Sequence, residues 1–187
     1  MFYLLVIVLK NLSTRVGIII ILALFLTKVG LFRTLVSKRN IALIDRIFLS
    51  IIFGIIGIVG TYTGIPLQGA IVNSRVIGVF VGGLLGGPLV GFLSGLIAGC
   101  HRYLIDIGGF TALACSLSTL TEGIMAGFLK KKFENSRYKI SFALIAGCLA
   151  EVIQMIIILL VAKPYSAALE LVKIIGIPMI VANGLGI

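Results

Sequence analysis

Apolar residues run along this chain in long continuous blocks, each ending at polar or Gly/Pro punctuation. The blocks at residues 2–27, 41–60, 76–100, 111–129, 140–162 and 171–187 mostly approach or exceed the ~18 to 20 residues that one helical membrane crossing requires. Continuity predicts helices, because the strands of a membrane barrel would alternate apolar and polar positions. The first block is interrupted by Lys10, Asn11 and Arg15 and reads as an amphipathic stretch leading into a shorter span. Nothing basic precedes its apolar start and no small-residue cleavage pattern follows, so the N-terminus is expected to stay on the mature chain. The last block is still apolar at Ile187, and we expect a chain truncated at its C-terminus. Two parts result: residues 1–40, an N-terminal membrane helix with a basic cytoplasmic connection, and residues 41–187, the main transmembrane domain.

The block between Arg75 and Arg102 differs from the others. It holds Gly78, Gly82, Gly83, Gly86, Gly87, Gly91, Gly95 and Gly99, with Pro88 in its middle. As one straight helix it would run roughly 40 Å at about 1.5 Å per residue, carrying the two arginines to opposite sides of a ~30 Å hydrocarbon core. A break at Gly86-Gly87-Pro88 makes a hairpin instead, since glycine frees the backbone for a turn and proline removes a helical donor. Both arginines then return to one side. The glycines recur every four residues along each arm and predict side-chain-free stripes against which neighbouring helices pack. The expected fold is all-α, a polytopic membrane bundle of about six to seven membrane helices that includes this hairpin.

Composition agrees with the pattern. Hydrophobic residues make up 60% and charged residues 12%, too little polar surface to close over a soluble core. The net charge of +10 does not point to nucleic acid, because the basic residues cluster at two connections. Lys28, Arg33, Lys38, Arg39 and Arg46 surround one; Lys130, Lys131, Lys132, Arg137 and Lys139 surround the other. Under the positive-inside rule both are cytoplasmic, so an even number of crossings separates them. The hairpin supplies the second crossing that an even count needs. The partner this implies is the lipid bilayer of the plasma membrane, crossed several times.

Candidate chemistry gathers where the hairpin arms end. Asn73, Ser74 and Arg75 stand on one side, His101, Arg102 and Tyr103 on the other, and Gly108, Gly109 and Thr111 open a helix carrying Cys115 and Ser118. An arginine near membrane depth is costly unless it is paired or faces a wet cavity, so two that converge define a candidate anion site. Alternatively, each snorkels to headgroups at the end of its span. Guanidinium groups grip a carboxylate or phosphate through paired hydrogen bonds, and Cys115 and Ser118, three apart, share a helix face. Thr111 reads as the N-cap of that helix, and Asn73 as a cap for the helix beginning at Arg75. Asp106 is placed to neutralise Arg102. Glu122, Glu151 and Gln154 also lie inside apolar blocks, the two carboxylates isolated and at different heights. Cys100, Cys115 and Cys148 show no metal-type spacing to His101, so neither a metal nor a cofactor is expected, and no catalytic constellation is present.

Two strings, NSRVIGVFVGGLLGGPLVGFLSGLIAGCHRYLIDIGGFTALACSLSTLTEGIMAGF and EVIQMIIILLVAKPYSAALELVKIIGIPMIVANGLG, resemble the membrane-embedded input region of LytS-type sensor histidine kinases, the 5TMR-LYT domain. The resemblance implies a receptor for pyruvate or a similar small carboxylate, bound from the extracytoplasmic side. Its ligand-associated pattern falls on Arg75, Arg102, Cys115 and Ser118, with Asn73, His101 and Thr111 around them. It also implies a homodimer that reaches a response regulator only through a kinase domain absent from this chain. One departure is the tetrapeptide Leu104-Ile105-Asp106-Ile107, which separates HRY from a glycine pair that family members place sooner. A more distant similarity links the chain to the substrate-binding S components of energy-coupling-factor transporters.

Overall fold

The computed structural model describes residues 2–37 and 42–187; Lys38, Arg39 and Ile41 of the expected basic connection lie outside them. Among the described residues the chain is an all-α bundle of eight helices with one short β-ribbon. They are α1 (Phe2–Lys28), α2 (Gly30–Ser37), α3 (Leu43–Tyr62), β1 (Ile65–Leu67), β2 (Ala70–Val72), α4 (Arg75–Gly86), α5 (Pro88–Leu104), α6 (Ala112–Asn135), α7 (Lys139–Val161) and α8 (Tyr165–Gly186). Helices α3, α6, α7 and α8 are each long and apolar enough to cross a bilayer. Leu113, Phe128, Ile140, Ile145 and Leu160 face outward while Arg75, Arg102, Glu122 and Glu151 are buried. A soluble protein distributes these residues the other way round.

The hairpin turns where the tripeptide dictates. Helix α4 stops at Gly86, Gly87 takes φ +90°, a conformation closed to most side chains, and Pro88 is the first residue of α5. Lys130 donates to the carbonyl of Leu85 and pairs with Glu134 at 3.4 Å, which holds the turn at the same end of the bundle as the basic connection between α6 and α7. The arms lie between α3 and α6. The stripe Gly78 and Gly82 packs on Ile56, Gly57 and Phe53 of α3, and the stripe Gly91, Gly95 and Gly99 packs on Gly123, Thr119 and Ser116 of α6. A Cβ at Gly91 would overlap the carbonyl oxygen of Gly123, so these two backbones cross in direct contact.

Several elements differ from the sequence expectation. Helix α1 is continuous through Lys10, Asn11 and Arg15, with Asn11 and Thr14 bonding back to the carbonyls four residues earlier. Its Arg15 donates to the carbonyl of Thr63 at the far end of α3, a charged anchor that lets one helix absorb the interruption. Helix α8 begins at Tyr165 and not near residue 171, because Ala168 and Leu171 bury against the bundle and Lys173 and Glu170 lie on its outer side. The connection between α3 and α4 contains the ribbon β1–β2, in which Ile65 pairs with Val72 and Leu67 with Ala70. Gln68 and Gly69, at φ 49° and 75°, make the two-residue turn with both central residues left-handed that joins tight antiparallel strands.

Candidate functional site

Arg75 is the first residue of α4. Its backbone N–H donates to Asn73 Oδ1 at 3.1 Å, and Asn73 Nδ2 donates to the Ile71 carbonyl at 2.8 Å, so Asn73 stitches the end of β2 to the start of the helix. Gly60 of α3 makes room behind it: a Cβ there would stand 2.8 Å from Arg75 Cα. The guanidinium then spans to α6, where Nε donates to Thr119 Oγ1 at 2.5 Å and Nη2 to the Cys115 carbonyl at 3.0 Å.

Arg102 reaches the same helix from the other arm. Its Nη2 donates to Thr111 Oγ1 at 3.3 Å, and it forms an ion pair with Asp106 at 2.9 Å. Asp106 stands four residues along from Arg102, the spacing at which two side chains meet on one side of a helical turn. Both arginines are within range of mutual repulsion. Their exposures are 1% for Arg75 and 0% for Arg102, which excludes snorkelling to headgroups.

Thr111, Cys115, Ser118 and Thr119 present one face of α6 to the two arginines. Ser118 and Thr119 hydroxyls both donate to the Cys115 carbonyl, at 3.0 and 2.7 Å, making that oxygen the centre of the face. Thr111 occupies the N-cap position, but its side chain caps nothing. At φ −111° and ψ 6° it is not in the extended conformation that turns a hydroxyl toward the first turn, and the hydroxyl meets Arg102. His101 sits half-buried on α5 with its ring edge-on to Tyr62, the centroids 5.0 Å apart. Among the described residues no cluster of His, Cys, Asp and Glu could hold a metal ion.

Beyond these lies a buried polar layer that the residue pattern did not reveal. Asn183 of α8 donates to Glu151 Oε1 of α7 at 2.7 Å and to the Asn73 carbonyl at 3.1 Å. Glu122 of α6 is within electrostatic reach of Glu151, Arg75 and Cys115. The two carboxylates are therefore neither isolated nor at different heights. A signal was available: α6 and α7 are antiparallel, and Glu122 stands about thirteen residues before their connection while Glu151 stands about twelve after it, which levels them at about 1.5 Å per residue.

This arrangement of apolar exterior, buried charged interior and basic end defines a multi-pass helical protein of the plasma membrane. The chain belongs to the 5TMR-LYT family, whose model, described as 5TMR of 5TMR-LYT, matches residues 29–187. It is 41% identical over 191 residues to the sensor protein LytS of Bacillus subtilis, covering 92% of this chain and 32% of the relative. It is 35% identical over 170 residues to the sensor histidine kinase YpdA of Escherichia coli, covering 90% and 30%, and 38% identical over 174 residues to the sensor histidine kinase BtsS of the same organism, again 90% and 30%. It thus corresponds to the membrane input region of LytS-type sensor kinases and spans less than a third of their length. No solved structure matches it.

Proposed function

We propose that this chain is the signal-input part of a two-component sensor histidine kinase and that it binds a small carboxylate such as pyruvate, entering from the extracytoplasmic side between Arg75 and Arg102. One observation carries the reading. Two wholly buried guanidinium groups, one from each hairpin arm, converge on one face of α6 with N–H donors, Arg75 Nη1 and Arg102 Nε, that meet no acceptor among the described residues. A buried donor without an acceptor is costly, and a carboxylate oxygen supplies what each lacks. Cys115 and Ser118 stand on that face of α6, and Asn73, His101 and Thr111 lie beside the two arginines.

Ligand entry requires the closed arginine layer to part, and closure around the anion stabilises one of two packings of the bundle. Helix α8, tied to this layer through Asn183, passes that difference toward the kinase domain of the full receptor. The receptor works as a homodimer and reaches its response regulator through that domain alone. Calorimetry of the purified protein with pyruvate tests the reading. Wild type binds and Arg102→Ala binds at least tenfold more weakly; equal affinity in the two removes Arg102 from the site.

A further inference from the structure

The layer beside the arginines holds more carboxyl groups than it has cations to neutralise. Glu122 and Glu151 are buried to 1% and 0% exposure, and Arg75 acts on both. Arg102, the other buried cation among the described residues, is already paired with Asp106. The groups acting on the two carboxyls are Arg75 from α4, with His101 and Arg102 of α5 behind it, Cys115 from α6 and Asn183 from α8. One guanidinium therefore stands against two carboxyls in a medium that strongly disfavours an unpaired buried charge.

The hydrogen bonds show the same imbalance. Asn183 Nδ2 serves Glu151 Oε1, but among the described residues Glu151 Oε2 and both oxygens of Glu122 have no donor, and Asn183 Oδ1, an acceptor, has none either. A carboxylic O–H supplies the missing donor, and a buried layer with every carboxyl ionised supplies none.

We infer that Glu122 and Glu151 form a proton-binding site that holds one proton when the arginine site is empty and takes up a second when an anion binds Arg75. The first proton leaves one carboxylate to balance Arg75. An arriving carboxylate takes over that role, and the displaced glutamate is neutralised by a proton drawn from the aqueous buffer, which leaves its conjugate base behind. Charge is conserved in the layer at every stage. The second proton rests on the ligand reading above; the first does not.

The experiment separates the two. Infrared difference spectra of the ligand-free full chain in nanodiscs should show a carboxylic-acid C=O stretch that shifts in D2O. The other four side-chain carboxyls, Asp45, Asp106, Glu134 and Glu170, are half-buried or exposed, so a band that the Glu122 and Glu151 variants lose belongs to the buried pair. Glu122→Gln and Glu151→Gln should each lose the band, because the remaining carboxyl then ionises against Arg75. Pyruvate titrations of wild type in phosphate and in Tris should differ in heat by the ionisation of about one proton per ligand. Each single variant keeps that uptake and the double variant loses it. No band in wild type overturns the proton site whatever pyruvate does, and no folded variant is needed to see it. Heat that is independent of buffer overturns the second proton. A band with no pyruvate heat keeps the resident proton and overturns the ligand reading together with the uptake that depends on it.

Discussion

The side-chain amide of Asn183 donates to the backbone carbonyl of Asn73 at 3.1 Å, joining α8 to the residue whose own side chain accepts from the Arg75 N–H. The same amide holds Glu151. The end of the ribbon, α7 and α8 therefore meet on one buried nitrogen. Replacing it leaves a buried carboxylate oxygen and a buried carbonyl without a donor at once. Asn183→Leu is expected to cost about 1–3 kcal/mol of stability. Thermal unfolding in detergent reads it directly, and an unchanged midpoint would show that α8 does not depend on this bond.

Arg75 makes its two contacts to α6 through different nitrogens, Nε to Thr119 and Nη2 to Cys115. A lysine keeps the charge but has one ammonium and cannot reproduce the fork. Arg75→Lys should therefore weaken pyruvate binding by about tenfold or more although the net charge is unchanged. Calorimetry on the variant checks it. If lysine binds as well as arginine, charge alone holds the anion and the fork geometry is irrelevant.

The ion pair between Arg102 and Asp106 predicts a change in the opposite direction. Asp106 is partly exposed, and on the proposed ligand reading it competes with the anion for Arg102. Asp106→Asn removes the competitor with little change of shape, and pyruvate affinity should rise about two- to tenfold. A fall in affinity would mean that Asp106 positions Arg102 and does not screen it.

Much of this was legible in the residues because the causes are local. Gly86-Gly87-Pro88 announces its turn whatever surrounds it, and the four-residue spacing of Gly91, Gly95 and Gly99 announces a packing stripe. The meeting of Arg75 and Arg102 followed from that turn together with the limited thickness of a bilayer. The β-ribbon was missed although Gln68-Gly69 supports its turn, because three-residue strands are too short to show alternation. The link between Glu151 and Asn183 was not legible at all. Asn183 stands farther from the α7–α8 connection than Glu151 does, so counting along the helices does not align them.

The crossing of α5 and α6 allows a test of packing apart from ligand. Gly91 and Gly123 leave no room for side chains between the two backbones, whereas Gly17 of α1 has open space around it. Gly91→Leu should destabilise the bundle by about 1–3 kcal/mol or prevent its folding, while Gly17→Ala should leave it unchanged. Yield of monodisperse protein and its thermal midpoint compare the pair. Equal behaviour would mean that the α5–α6 contact is looser than a direct backbone crossing.

Sidedness decides whether the arginine layer is reached from outside the cell. The turn of the β-ribbon at Gln68 and the connection carrying Arg137 lie at opposite ends of the bundle, because α4 runs from the ribbon to the end where Lys130 holds Leu85. Under the positive-inside rule the basic residues around Arg137 are expected to put that end in the cytoplasm. In a background with Cys100, Cys115 and Cys148 replaced, Gln68→Cys should react with an impermeant maleimide added to intact cells, and Arg137→Cys only after the cells are opened. Cysteines that both react from outside would refute the hairpin topology. The reverse pattern would keep the hairpin but turn the arginine layer toward the cytoplasm, where a ligand would report on the cell's own carboxylates and not on those of its surroundings.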